Sequence, residues 1–175
     1  MKEKALKIIK SKYFIGTILT IILYLIYLAI AKIGPFGENS ILKSDLYKQY
    51  AEFLAYYKDV LTGKGSLFMS WNMGMGNNFY TTFAYYLVSP LNLLVVFFSK
   101  ENINTFVIIT TLLKLILIYN SMIAFLEYRF KNKSKSAILF ALAYTFSTYT
   151  IQYLFHIMWL DAIYMLPLMC IGVEK

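Results

Sequence analysis

Residues 13–33, YFIGTILTIILYLIYLAIAKI, form a run of 21 positions whose only charge is Lys32. At 1.5 Å per residue a helix of that length spans about 30 Å, the thickness of a bilayer's hydrocarbon core. A helix apolar on every side has no polar face to turn toward water, so the run predicts a membrane span. Lys2, Lys4, Lys7, Lys10 and Lys12 precede it. Basic residues beside a span favour the cytoplasmic side, so 1–12 reads as a cytoplasmic basic N-terminus. A secretory signal peptide has a shorter apolar core and a small-residue cleavage site. Here the run continues into Gly34-Pro35-Phe36-Gly37, a turn, and the span reads as a retained anchor.

The rest of the chain agrees with a lipid environment. Hydrophobic residues make up 59%, with 16 Tyr and 14 Phe, and the mean hydropathy is +0.60. A soluble fold of 175 residues leaves too much surface wet to hide that composition. The net charge of +8 does not point to nucleic acid. Its two dense clusters, the N-terminal lysines and Arg129, Lys131, Lys133 and Lys135, both flank apolar runs, the positive-inside pattern. Cys170 is the single cysteine and forms no internal disulfide.

Between 34 and 80 the chain is polar without net charge, with four charges of each sign. Leu46, Tyr50, Phe53, Leu54, Tyr57 and Leu61 recur at helical spacing and predict an amphipathic helix over 44–62 on the membrane surface. Ser44 is its expected N-cap and Thr62-Gly63-Lys64-Gly65 its stop. Residues 83–98 are apolar but broken by Ser89, Pro90 and Asn92. If 83–98 crossed, the basic loop 127–135 would fall outside, so a re-entrant or interfacial segment is expected. The predicted order is a span at 13–33, an external loop over 34–102, a span at 103–126, a cytoplasmic basic loop at 127–135, then spans at 136–155 and 160–173. The fold class is therefore an all-α polytopic membrane protein with about four transmembrane helices. The last run stops at Val173-Glu174-Lys175, short for a full span, so the C-terminal end reads as truncated.

Candidate chemistry is sparse. Asp45, Asp59 and Asp161 are the only aspartates. Asp45, at the head of the amphipathic helix, suits either a carboxylate favoured by the helix dipole or a general base at the membrane surface. Asp161 and His156, with Trp159 between them, border an apolar run on the external side, where a carboxylate needs a partner or marks a site. One histidine and one aspartate do not make a zinc site. Lys114 lies mid-span, too deep to snorkel; an anionic lipid phosphate is its expected partner, and Asp161 the alternative. In the loop Trp71-Asn72-Met73-Gly74-Met75-Gly76-Asn77-Asn78 the amides of Asn72, Asn77 and Asn78 suit sugar hydroxyls and suit ordinary turns equally.

The ordered series Asp45-Leu46-Tyr47-Lys48-Gln49-Tyr50, Ser70-Trp71-Asn72-Met73-Gly74-Met75-Gly76-Asn77-Asn78-Phe79 and Tyr85-Tyr86-Leu87-Val88-Ser89-Pro90-Leu91-Asn92 resembles the YfhO family of bacterial membrane proteins. Leu113-Lys114, Ile157-Met158-Trp159-Leu160-Asp161-Ala162 and Leu166-Pro167-Leu168 continue the series in order. The resemblance implies part of a GT-C-type glycosyltransferase in the bacterial cell membrane, using a polyprenyl-phosphate sugar donor on the outer face. It implies a cell-envelope polymer acceptor such as teichoic or lipoteichoic acid, and Asp45 as the base. Trp71, Asn72, Asn77, Asn78, Lys114, His156 and Asp161 are the expected substrate-binding residues. No cofactor is expected, and a divalent metal is not readable from the residues. Family members are several times longer, so the chain resembles an N-terminal portion, with the remaining part a possible separate partner chain. Two other readings compete: a non-catalytic fragment or scaffold, and a transport or flipping module with Lys114 and Asp161 in a polar pathway.

Overall fold

The computed structural model describes residues 11–131 and 134–175. Lys2, Lys4, Lys7 and Lys10 of the predicted basic N-terminus, and Lys133 of the predicted basic loop, lie outside the described residues. Among the described residues the only regular elements are helical. The chain forms two compact units, one containing the segment up to Asn39 together with Thr111–Lys175, the other Ser40–Thr110.

The first unit begins with α1, Lys12–Ile30, whose N-cap Ser11 accepts a hydrogen bond from the Phe14 amide at 3.2 Å. The helix ends three residues before the predicted limit of 33. Lys32 adopts a positive φ of 52° there, and the Asn39 side chain donates to the Ala31 carbonyl at 2.8 Å. Gly16, Thr20, Tyr24 and Leu28 make one buried stripe at every fourth residue. The other faces expose Ile18, Ile22, Leu23 and Ile26, apolar surface suited to lipid.

The stripe meets the long helix α4, Ile103–Phe130, through small and polar residues. Lipid tails are as apolar as leucine, so helices in a membrane associate by close packing and interhelical hydrogen bonds. Tyr119 fills the space that a side chain at Gly16 would need: a Cβ there would sit 1.8 Å from the phenol ring. The Tyr119 hydroxyl donates to the Lys12 carbonyl at 2.9 Å, and the Asn120 amide to Thr17 Oγ1 at 3.1 Å. Lys12 and Tyr13 both bind Glu127, at 2.7 and 2.9 Å. Tyr119 and Ile123 then pack on Ala137 and Ala141 of α5, Ser136–Thr145.

The predicted span 136–155 is not one helix. α5 has 10 residues, about 15 Å of rise, half of a bilayer core. Ser147 turns extended and its hydroxyl caps a new short helix α6, Thr148–Gln152. Serine and threonine compete for backbone hydrogen bonds in this way, and the apolar count of 136–155 conceals the break. A turn over 153–158 leads to α7, Trp159–Glu174, which is 16 residues long and carries Pro167 inside. By length and composition two helices can cross a membrane, α1 and Lys100–Phe130, or three if one bent pair counts as a span. The expected four spans therefore reduce to two or three by that measure among the described residues.

The second unit holds α2 and the bent pair. α2 starts with a π-helical turn, Leu46–Tyr50, and continues as an α-helix, Ala51–Leu61. Ser44 is not the expected cap. It has a positive φ of 49°, and Asp45 takes the cap position without a side-chain cap hydrogen bond. Leu46, Tyr50, Leu54 and Tyr57 are buried, while Leu61, expected on the same face, is exposed. The buried face packs on the bent pair: α3, Phe79–Leu87, followed by the 3₁₀ helix Pro90–Phe97, at 108° to each other. Pro90 sets that bend, because a residue preceding proline is pushed out of the helical region; Ser89 sits at ψ 127°. Asn92, buried in the bend, donates its side-chain amide to the Leu87 carbonyl at 3.2 Å, which helps close the corner.

Candidate functional site

The expected site residues divide between the two units. Asp45, Trp71, Asn72, Asn77 and Asn78 belong to Ser40–Thr110, and Lys114, His156 and Asp161 to the other.

In the first group Asp45 is half-buried at the head of α2. Burial pushes the Tyr50 phenol above its ordinary pKa, and Tyr86, Asp45 and Tyr85 add to the cost of a phenolate. Tyr50 therefore stays neutral beside the Asp45 carboxyl. The loop 70–78 is closed by Ser70 and Asn77, whose amides and carbonyls pair at 2.8 and 3.0 Å. Gly76, at φ 101°, gives the backbone a conformation that other residues rarely adopt, and a Cβ there would meet Met69 and the Trp71 ring.

The three asparagines have different duties. Asn77 Oδ1 accepts from the Asn78 amide at 2.7 Å, and Asn78 Oδ1 caps α3 by accepting from the Tyr80 amide at 2.9 Å. Those two oxygens serve the turn and the cap. Asn72 instead lines a cleft of about 230 Å³ with Glu52, Tyr56, Asp59, Phe79 and Lys100. Trp71 is 76% exposed beside it.

Glu52, Asp59 and Lys100 had not been singled out from sequence. Glu52, Tyr56 and Asp59 follow at i, i+4 and i+7, the polar face of the amphipathic helix, so a periodicity argument could have gathered them. Lys100 reaches Asp59 in an ion pair from 41 residues away, for which local sequence carries no signal. Asp45 lines neither this cleft nor the groove described next.

In the second group Lys114 and Asp161 do meet. Lys114 Nζ donates to Asp161 Oδ2 at 2.8 Å and to the Ile157 carbonyl at 2.8 Å. The Lys114 side chain is fully buried and that of Asp161 is 22% exposed. The expected lipid-phosphate partner of Lys114 is thus replaced by the aspartate, because a buried ammonium needs a fixed counter-charge. The bond to Ile157 also anchors the turn that leads into α7. His156 stacks on Trp159 with centroids 4.2 Å apart, within an aromatic cluster that includes Tyr153 and Phe155. Among the described residues no group of three or more His, Cys, Asp or Glu side chains is placed to hold a metal. An open apolar groove of about 630 Å³ runs along α7, lined by Tyr144, Tyr149, Trp159, Ile163, Leu166 and Met169.

Comparison with known proteins places these features in a family. No curated protein and no solved structure matches the chain. A family profile described as "Bacterial membrane protein YfhO" matches residues 16–175, which takes in α1 from Gly16 onward, the whole of the Ser40–Thr110 unit and the Lys114–Asp161 pair. The chain belongs to the YfhO family of bacterial membrane proteins.

Proposed function

We propose that the chain serves sugar transfer at the outer face of the bacterial cell membrane, from a polyprenyl-phosphate donor to a hydroxyl of a cell-envelope polymer such as teichoic or lipoteichoic acid. The supporting observation is the composition of the Ser40–Thr110 unit. It gathers a half-buried carboxylate at the head of an amphipathic helix, an amide-rich loop and an apolar bent pair. In this reading α2 and the bent pair lie at the membrane surface, with the N-terminus cytoplasmic and the unit external. Asp45 takes the proton of the acceptor hydroxyl as that oxygen attacks the anomeric carbon. The new C–O bond forms as the bond to the phosphate oxygen breaks, with inversion, and polyprenyl phosphate leaves with the electron pair. Trp71 and Asn72 face the sugar, and Asn77 and Asn78 hold the loop that presents them. Lys114 and Asp161 act as a closed pair that fixes the start of α7, with His156 in the aromatic layer above it. A polar transport pathway is less well supported, because these two charges are spent on each other.

The test is transfer of labelled sugar from polyprenyl phosphate by membranes carrying the protein, compared with Asp45→Asn. Loss of a general base lowers turnover by about 10²–10⁴-fold. Undiminished transfer by Asp45→Asn removes Asp45 as the base, and absence of transfer from any polyprenyl-phosphate sugar removes the reading.

A further inference from the structure

Apart from Asn72, the cleft beside α2 is lined by residues that the proposed chemistry does not use. Its apolar side is aromatic: Phe79 is fully buried and meets the Tyr56 ring edge-on at 4.6 Å, and Phe53 completes the wall. Its rim is polar, with Glu52, Asp59, Asn72 and Lys100. Two of those groups are committed, since Asp59 and Lys100 form an ion pair. Two are available: neither the Glu52 carboxylate nor the Asn72 side-chain amide has a hydrogen-bond or ionic partner among the described residues.

The cleft is also held in shape before any ligand arrives. The Tyr56 hydroxyl donates to the Ser66 carbonyl at 2.9 Å and contacts that of Met69 at 3.3 Å, tying the helix to the strand of chain that precedes the loop. The Ser70–Asn77 pairing fixes the loop that carries Asn72. Lys58 donates to the Phe98 carbonyl and so holds the segment leading to Lys100.

We infer that this cleft is a carbohydrate subsite that takes one neutral pyranose ring. A pyranose has an apolar C–H face, which suits the half-buried rings of Tyr56 and Phe53, backed by the buried Phe79, and an edge of hydroxyls that both donate and accept. Carboxylates accept only, lysine donates only, and an asparagine amide does both, so the rim matches such an edge. The charge balance favours a neutral ligand. Asp59 and Lys100 cancel, Glu52 leaves one negative charge, and a phosphate brought against it would be repelled. Size points the same way: about 230 Å³ falls below the ~300 Å³ where pockets for larger ligands begin. Within the proposed function, on which its biological role rests, the subsite holds a sugar unit of donor or acceptor next to the reacting one. Binding itself is measurable without transfer.

The experiment uses the full chain in lipid nanodiscs and saturation-transfer NMR with methyl glucoside, methyl galactoside and N-acetylglucosamine, with glycerol 1-phosphate as the charged control. At least one pyranose should give a saturable signal and glycerol 1-phosphate none. Asn72→Ala and Glu52→Gln, both exposed and with side chains that make no hydrogen bond or ion pair among the described residues, should each weaken that binding by tenfold or more. No saturable pyranose signal, an unchanged affinity in both variants, or preferential binding of the phosphate overturns the inference. Pyranose binding without sugar transfer would leave the subsite standing and remove the proposed function. Transfer with binding indifferent to both variants would do the reverse.

Discussion

Pro167 removes a hydrogen-bond donor from the middle of α7, and the residue that compensates for it lies on another helix. In an α-helix the amide of residue 167 would donate to the carbonyl of Ile163, but proline has no N–H. The Tyr144 hydroxyl, from the last turn of α5, donates to that same Ile163 carbonyl at 2.9 Å. Tyr144→Phe would remove the donor while keeping the ring. A hydrogen bond of this kind contributes about 0.5–1.5 kcal/mol net, and cycles within a membrane protein average about 0.6 with a maximum near 1.7. Both residues are half-buried along an open groove, so the carbonyl is incompletely shielded and the expected cost is about 1 kcal/mol. Pro167→Ala supplies the missing amide. In that background Tyr144→Phe should cost under about 0.3 kcal/mol, because Ile163 regains its helical donor. Reversible unfolding in mixed micelles, read by circular dichroism, gives the four stabilities of the cycle. An equal cost of Tyr144→Phe in both backgrounds would refute the compensation and assign the hydroxyl another partner.

Three further outcomes follow from the packing. Lys114→Met strands Asp161 and should destabilise the fold by about 3 kcal/mol, at the low end for a broken buried pair because Asp161 is partly wetted. The double variant Lys114→Met with Asp161→Leu should recover most of that loss in the same unfolding assay. Gly16→Ala places a Cβ inside the Tyr119 ring and should cost about 1–3 kcal/mol, and that added cost should shrink in a Tyr119→Ala background, where the space is vacant although the background is itself less stable. Asn78→Ala should lower stability by about 1 kcal/mol through loss of the α3 cap, whereas Asn72→Ala should leave unfolding within about 0.5 kcal/mol of the parent protein.

The asparagine loop illustrates how far local sequence reaches. Asn72, Asn77 and Asn78 are chemically identical, and their side-chain amides offer the same donors and acceptors. Only the hairpin-like closure at Ser70–Asn77 sends two of them into backbone hydrogen bonds and the third to a cleft. The break at Ser147 was equally hidden, since apolar content measures partition into lipid and not helix continuity.

Residues 13–33 settled the class of the protein without any coordinates, because apolarity over about 30 Å has one inexpensive environment, the bilayer. The amphipathic helix and the interruption at Ser89-Pro90 were legible for the same kind of reason: period and proline stereochemistry act within a few residues. Which charges meet is a different matter. Lys114 pairs with Asp161 across 47 positions and Asp59 with Lys100 across 41. Chain proximity could not order those partners, because each contact exists only after distant helices have packed. Asp45 shows both sides of this division. Its place at the head of an amphipathic helix came from sequence. Its half-buried position beside the Tyr50 phenol, and its separation from the cleft that Glu52 and Asp59 line, came from the fold, because side-chain burial is decided by what the helix packs against.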